Sequence, residues 1–159
     1  MSGHDEAGDA RAALVDERSR PRLKLAEVTN DVLDVDRHRA LVSDRAGGAE
    51  VVFCGVVRDN DRDRAVRGLE YVGHPDAGAV IERVAATIAA DPSALAVAVS
   101  HRVGALTVGD VALVAAVSAL HRAEGFRLCA ELVDQVKHAL PIWKRQLFED
   151  GTDEWVNCP

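Results

Sequence analysis

Arginine carries nearly all the positive charge in this chain: of nineteen basic residues only three, Lys24, Lys137 and Lys144, are lysines. Two of the three stand seven residues apart in Lys137-His138-Ala139-Leu140-Pro141-Ile142-Trp143-Lys144-Arg145. A guanidinium stays charged in almost any setting, whereas an amine is tuned by its surroundings to act as acid, base or nucleophile. A chain that uses arginine by default yet keeps lysine twice here points to a need for amines; the alternative is two ordinary surface lysines. Amines gathered in one pocket disfavour each other's charge, which suits base or nucleophile chemistry.

Other residues suit an anion. Arg58 ends an apolar run just before the polar stretch Asp59 to Arg64, where binding residues often stand, though it also reads as a simple strand-end charge. His121-Arg122 opens a helical segment. Free N–H groups at a helix amino terminus, joined by a guanidinium, make an anion site, while the plainer reading is a solvated first turn. His101-Arg102 after a strand is a weaker candidate, and His74-Pro75 reads as a helix start. The six histidines lack metal-ligand spacing, so no metal site is expected.

The elements that must position these groups follow from periodicity. Leu23, Leu25 and Val28 suggest a first strand. A helix capped by Asp34 or Asp36 is expected to run to Arg45, with Leu41 and Val42 inward and Gly47-Gly48 stopping it. Ala49 to Val57 reads as a strand buried on both faces, with Cys54 a small buried hydrophobe. Val66 to Val72 is a further strand. Ala77, Val80, Ile81, Val84, Ala85 and Ile88 form one helical face, ended by Asp91-Pro92. Leu95 to Val103 and Val111 to Ala119 are apolar strands linked through Gly104 and Gly109-Asp110. They are more apolar than a small sheet can bury on one side. A helix from about His121 to His138 stops at Pro141, and the corner there brings Lys137 and Lys144 towards one pocket. Trp143 points away from Lys144 as a packing anchor. Ile142 to Phe148 and Trp155 to Asn157 pair as a hairpin across Glu149-Asp150-Gly151. Hairpin-linked strands with inserted helices indicate an α+β fold.

Composition bounds the rest. With 159 residues, 48% hydrophobic and 28% charged, this is one globular domain over 22–159, preceded by a polar tail over 1–21 expected to be disordered. The net charge of −7 argues against nucleic-acid binding. Cys54, Cys129 and Cys158 are odd in number and form no CxxC pair, which suggests neither a zinc site nor a disulfide framework. The chain shows no membrane-spanning stretch and no signal-peptide core at its start, so a cytoplasmic location is expected.

Several segments together resemble the large, catalytic subunit of molybdopterin synthase. They are Gly48 to Arg58, Leu69-Glu70-Tyr71, His101-Arg102-Val103-Gly104 with Val108-Gly109-Asp110, Val117 to Arg122, Lys137 to Arg145, and Trp155-Val156. The match spans roughly residues 22 to 157, and its lysine–Pro-x-Trp-Lys segment is specific. The resemblance implies an α/β-hammerhead with an additional antiparallel sheet. It implies a homodimer at the centre of a heterotetramer, each large subunit receiving the carboxy-terminal Gly-Gly thiocarboxylate of a small ubiquitin-like sulfur-carrier subunit. The implied activity is that of a sulfurtransferase of molybdenum cofactor biosynthesis. Sulfur passes to cyclic pyranopterin monophosphate (precursor Z) to build the dithiolene of molybdopterin, and the resemblance implies no metal or dissociable cofactor for this step. By position, Lys137 and Lys144 match the catalytic lysines, and Arg58, His121 and Arg122 the substrate-pocket residues. The His-Arg pair is then supplied across the dimer. One departure stands out: Gln146 occupies a position where the family usually has glutamate. Two other readings stay open, a non-catalytic partner of a ubiquitin-like protein and a Schiff-base lyase using Lys137 or Lys144. Borohydride trapping would reveal the latter.

Overall fold

Two runs of alanine and valine lie at the centre of the molecule. The computed structural model describes residues 21–158; the tail expected over 1–21 lies outside them except for Pro21. Strand β1 spans Leu23–Thr29, β2 Ala49–Val56, β5 Ala94–Arg102 and β7 Val111–Ala119. They form one sheet in the order β1-β5-β7-β2. β1 runs parallel to β5, and the other pairs are antiparallel. Alternate residues of the two central strands face opposite ways. Val97, Val99, Ala115 and Val117 meet the helices α2 (Ala77–Ala89) and α3 (Arg122–Ala139), through residues such as Ile81, Ile88, Leu128, Leu132 and Val136. Ala96, Ala98 and Ala116 meet α1 (Val35–Val42) through Leu41 and Val42. Small side chains on that second face let a short helix come close. Each fully buried Leu, Ile or Val contributes about 1.5–3 kcal/mol.

The apolar surplus of β5 and β7 is therefore covered within one chain, by helices on both faces. The expectation of a strand buried on both faces fails for β2 for a related reason: it is the sheet's edge, where Phe53 and Val56 are exposed and Cys54 is half-buried. α1 also ends earlier than expected. Ser43 is already extended and its N–H bonds to Ala40, so the helix stops at Val42 rather than Arg45. Asp34 is the cap, its side chain accepting from Arg37 N–H at 3.0 Å.

The second sheet is wholly antiparallel. It comprises β3 (Asn60–Asp61), β4 (Arg64–Gly73), β8 (Ile142–Phe148) and β9 (Asp153–Cys158) in that order, with β6 (Gly104–Thr107) also paired to β4. The chain thus leaves the first sheet after β5, contributes β6 to the second, and returns as β7. The mixed α+β architecture with a separate antiparallel sheet is the one expected. Two short strands within it, β3 and β6, lie where loops and a simple link were anticipated. The β8–β9 hairpin turns at Gly151, whose φ of +85° suits glycine. Among the described residues no helix is long and apolar enough to cross a membrane.

Candidate functional site

The corner at Pro141 forms as the sequence requires. A residue before proline is driven to extended backbone, and Leu140 has φ −71° and ψ 121°. Its N–H still bonds to Val136 at 2.9 Å, so α3 closes cleanly and leaves Lys137 exposed in its last turn. The Pro141 carbonyl accepts from His74 N–H at 2.9 Å, which ties the corner to the end of β4. β8 then begins, and Lys144 falls opposite Tyr71 of β4.

That register assembles the site. Side chains of facing residues share one side of a sheet, so Lys144 and Tyr71 stand together. The Tyr71 ring meets the His101 imidazole edge-on, with centroids 5.1 Å apart. His101, at the end of β5, is buried, and its Nδ1–H donates to the Arg102 carbonyl at 2.8 Å. Burial lowers its pKa to about 4; the bond to Arg102 opposes that, and the charge of Lys137 adds to it. Lys137 therefore lies within electrostatic reach of His101. The Tyr71–His101 pair is the floor that both amines share.

On the same face of β8, one pleat along from Lys144, Gln146 is buried. With its amide oxygen facing Lys144 it accepts from Nζ at 3.1 Å, and its nitrogen donates to Asp61 Oδ2 at 3.0 Å. Asp61 in turn pairs with Arg58, Nη2 to Oδ1 at 3.5 Å. Arg58 is thus linked to Lys144 through two intermediates on β3 and β8. Trp143 points to the opposite face, as expected, but is not the buried anchor anticipated. It is 40% exposed, with its ring centroid 6.4 Å from that of His74.

His121 and Arg122 sit elsewhere. His121 is the N-cap of α3 with an extended backbone and no capping side-chain bond; Arg122 is the first helical residue, and both are exposed. Fifteen residues of helix separate Arg122 from Lys137, about 22 Å along the axis. Within one chain, then, Lys137, Lys144 and Arg58 converge, and the His-Arg pair does not join them. Exposed apolar residues accompany that pair: Leu120 directly before it and Phe126 on the first turns of α3.

Sequence reasoning gave Tyr71 and Asp61 no place in the cluster, and it marked Gln146 only as a departure from the family's usual glutamate. Tyr71 and Gln146 lie in strands whose register sets their partners, and Asp61 lies in a stretch read as a solvated loop. His101 was ranked low because a His-Arg pair after a strand says nothing of what it packs against.

Comparison with known proteins identifies relatives of the fold and the sequence. The family model described as MoaE protein matches residues 28–139. A Nostoc protein named molybdopterin synthase catalytic subunit is 37% identical over 132 residues, covering 82% of this chain and 80% of its own length. The crystal structure of molybdopterin synthase from Staphylococcus aureus superposes with a TM-score of 0.76 at 28% identity, over 83% of this chain and 96% of that one. A Helicobacter pylori complex of subunits 1 and 2 of molybdopterin-converting factor shares the fold at a TM-score of 0.62 and 20% identity, over 85% of this chain and 88% of that one. On the matched span and the likeness to the Nostoc protein over four-fifths of both chains, the chain belongs to the MoaE family of molybdopterin synthase catalytic subunits.

Proposed function

We propose that this chain transfers sulfur from the carboxy-terminal thiocarboxylate of a small ubiquitin-like carrier to cyclic pyranopterin monophosphate, using Lys137 and Lys144 as the reacting amines. The observation that carries this reading is their convergence over the Tyr71–His101 floor. Two amines there can steady the thiocarboxylate's charge and protonate oxygen leaving groups as the cyclic phosphate opens and sulfur adds. Arg58, held at the same cluster by Asp61, is suited to the phosphate, which a planar guanidinium binds through two parallel bonds.

His121 and Arg122 complete the pocket from a second copy of the chain. Support comes from the helix that keeps them about 22 Å from Lys137 in their own chain. The exposed Leu120 and Phe126 beside them favour association of that face. The working assembly is a homodimer with one small carrier subunit at each end, located in the cytoplasm. The Helicobacter chain of this fold was solved as a complex of two subunits, in keeping with a separate partner. Mixing this chain with a thiocarboxylated carrier and precursor Z should yield molybdopterin. Carrier that stays thiocarboxylated and precursor that stays unchanged would refute the reading.

A further inference from the structure

Gln146 is a buried amide between two groups of opposite hydrogen-bonding character. A protonated amine can only donate, and a carboxylate can only accept. Between Lys144 Nζ and Asp61 Oδ2 only one orientation of the amide works, oxygen towards the lysine and nitrogen towards the aspartate. In the reverse orientation, donor faces donor and acceptor faces acceptor. A glutamate here would set a second carboxylate about 3 Å from Asp61, a contact that like charges disfavour.

Asp61 is itself held in place. It sits in the two-residue strand β3, paired to Arg64 across a tight turn whose central residues, Arg62 and Asp63, have φ of +49° and +64°. Asp63 N–H is held by Asn60 Oδ1 at 3.1 Å, and Val66 N–H by the Asp59 carbonyl at 2.8 Å. Asp61 Oδ1 faces Arg58 while Oδ2 takes the Gln146 amide. One carboxylate thus acts on both sides of the site.

We infer that Asp61 and Gln146 are positioning residues: Asp61 sets the polarity of the Gln146 amide, the amide fixes the Lys144 amine, and the same carboxylate steadies Arg58. Both act through Lys144 and Arg58, and Gln146 is itself buried. The inference rests on the reaction proposed above for Lys144, and its test separates the two.

The decisive experiment exchanges the polarity of the pair. Gln146→Glu alone should lower kcat about tenfold, because the two carboxylates repel and β3 moves away. Adding Asp61→Asn should restore most of that loss. The asparagine nitrogen then donates to the introduced carboxylate, which also accepts from Lys144. Two residues acting independently of each other would give additive changes. A double variant no better than Gln146→Glu, with both folded by circular dichroism, would overturn the inference, as would wild-type kcat in Gln146→Glu alone.

The contact is also read without the reaction. The Gln146 side-chain amide protons, identified in NMR spectra by their loss in Gln146→Glu, should shift on both Asp61→Asn and Lys144→Met. Amide protons indifferent to both changes would overturn the inference whether or not molybdopterin forms. Responsive amide protons in a chain that makes no molybdopterin would support the contact and refute the assigned reaction.

Discussion

Burial holds His101 neutral well into the acid range, and the neighbouring Lys137 charge reinforces it. In an unfolded chain its pKa is about 6.5, against about 4 in the fold. Below 6.5 the unfolded chain binds a proton that the folded chain refuses. Stability linked to this ring is therefore intact above about 6.5 and is lost as pH falls towards 4, by at most about 3 kcal/mol. Urea unfolding at pH 7 and pH 4.5 should show a smaller acid loss in His101→Phe than in the wild type; equal losses would place the effect elsewhere. The lysines carry the second expectation at this scale. Lys137→Ala should nearly abolish product and Lys144→Ala reduce it strongly, by about 10²- to 10⁴-fold, as is common for a lost acid–base or charge-stabilising group. Near-normal turnover in a folded Lys137→Ala chain would remove it from the site. Both lysines were legible because lysine is rare in this chain. Gln146 stood out only against the family's glutamate, and its contact with Asp61 was not legible, because it joins strands 85 residues apart, which no local pattern encodes.

The helix faces and long strands were legible for a simple reason: their apolar residues repeat with the period of the element that buries them. α2 matches its expected stripe, with Ala77, Ile81, Val84, Ala85 and Ile88 all buried. The failures were of other kinds. β3 and β6 have two and four residues, too few to show a period. The exposure of β2 depends on its place at the sheet edge, which its own composition cannot reveal. Gly48 shows how tightly elements meet around the amino-terminal end of α3. A Cβ there would lie 2.4 Å from the Leu120 carbonyl oxygen, to which Gly48 N–H already donates at 3.2 Å. Backbone meets backbone, so neither side can yield cheaply. Gly48→Ala should destabilise the chain by about 1–3 kcal/mol, read as a lower denaturant midpoint with an unchanged slope. Because Leu120 leads directly into His121 and Arg122, the same change should disturb dimer assembly more than a Gly78→Ala control, whose Cβ would meet nothing within 4 Å.

At the scale of the whole molecule, the apolar excess of β5 and β7 is met by α1 inside one chain, so it gives no reason for a second copy. The length of α3 does. We expect a homodimer by light scattering at micromolar concentration, and a stable monomer would count against a shared pocket. Subunit mixing is the sharper measurement. A Lys137→Ala chain and an Arg122→Ala chain, each inactive alone, should together regain activity, because half the pockets in each mixed dimer are intact. No recovery after verified subunit exchange would show that each chain builds its site alone.

The length of α3 also has a genetic consequence. On the shared pocket proposed above, a helix that keeps one chain's amine from meeting its own arginine makes every pocket joint property of two copies of the chain. In a cell carrying equal amounts of normal and altered chains that pair at random, loss of Lys137 alone leaves about half of all pockets working. Losing Lys137 and Arg122 on the same chain leaves only about one quarter, since both pockets of every mixed dimer fail. The doubly altered chain is thus a poison to its normal partner, dominant where the single change is merely a shortage.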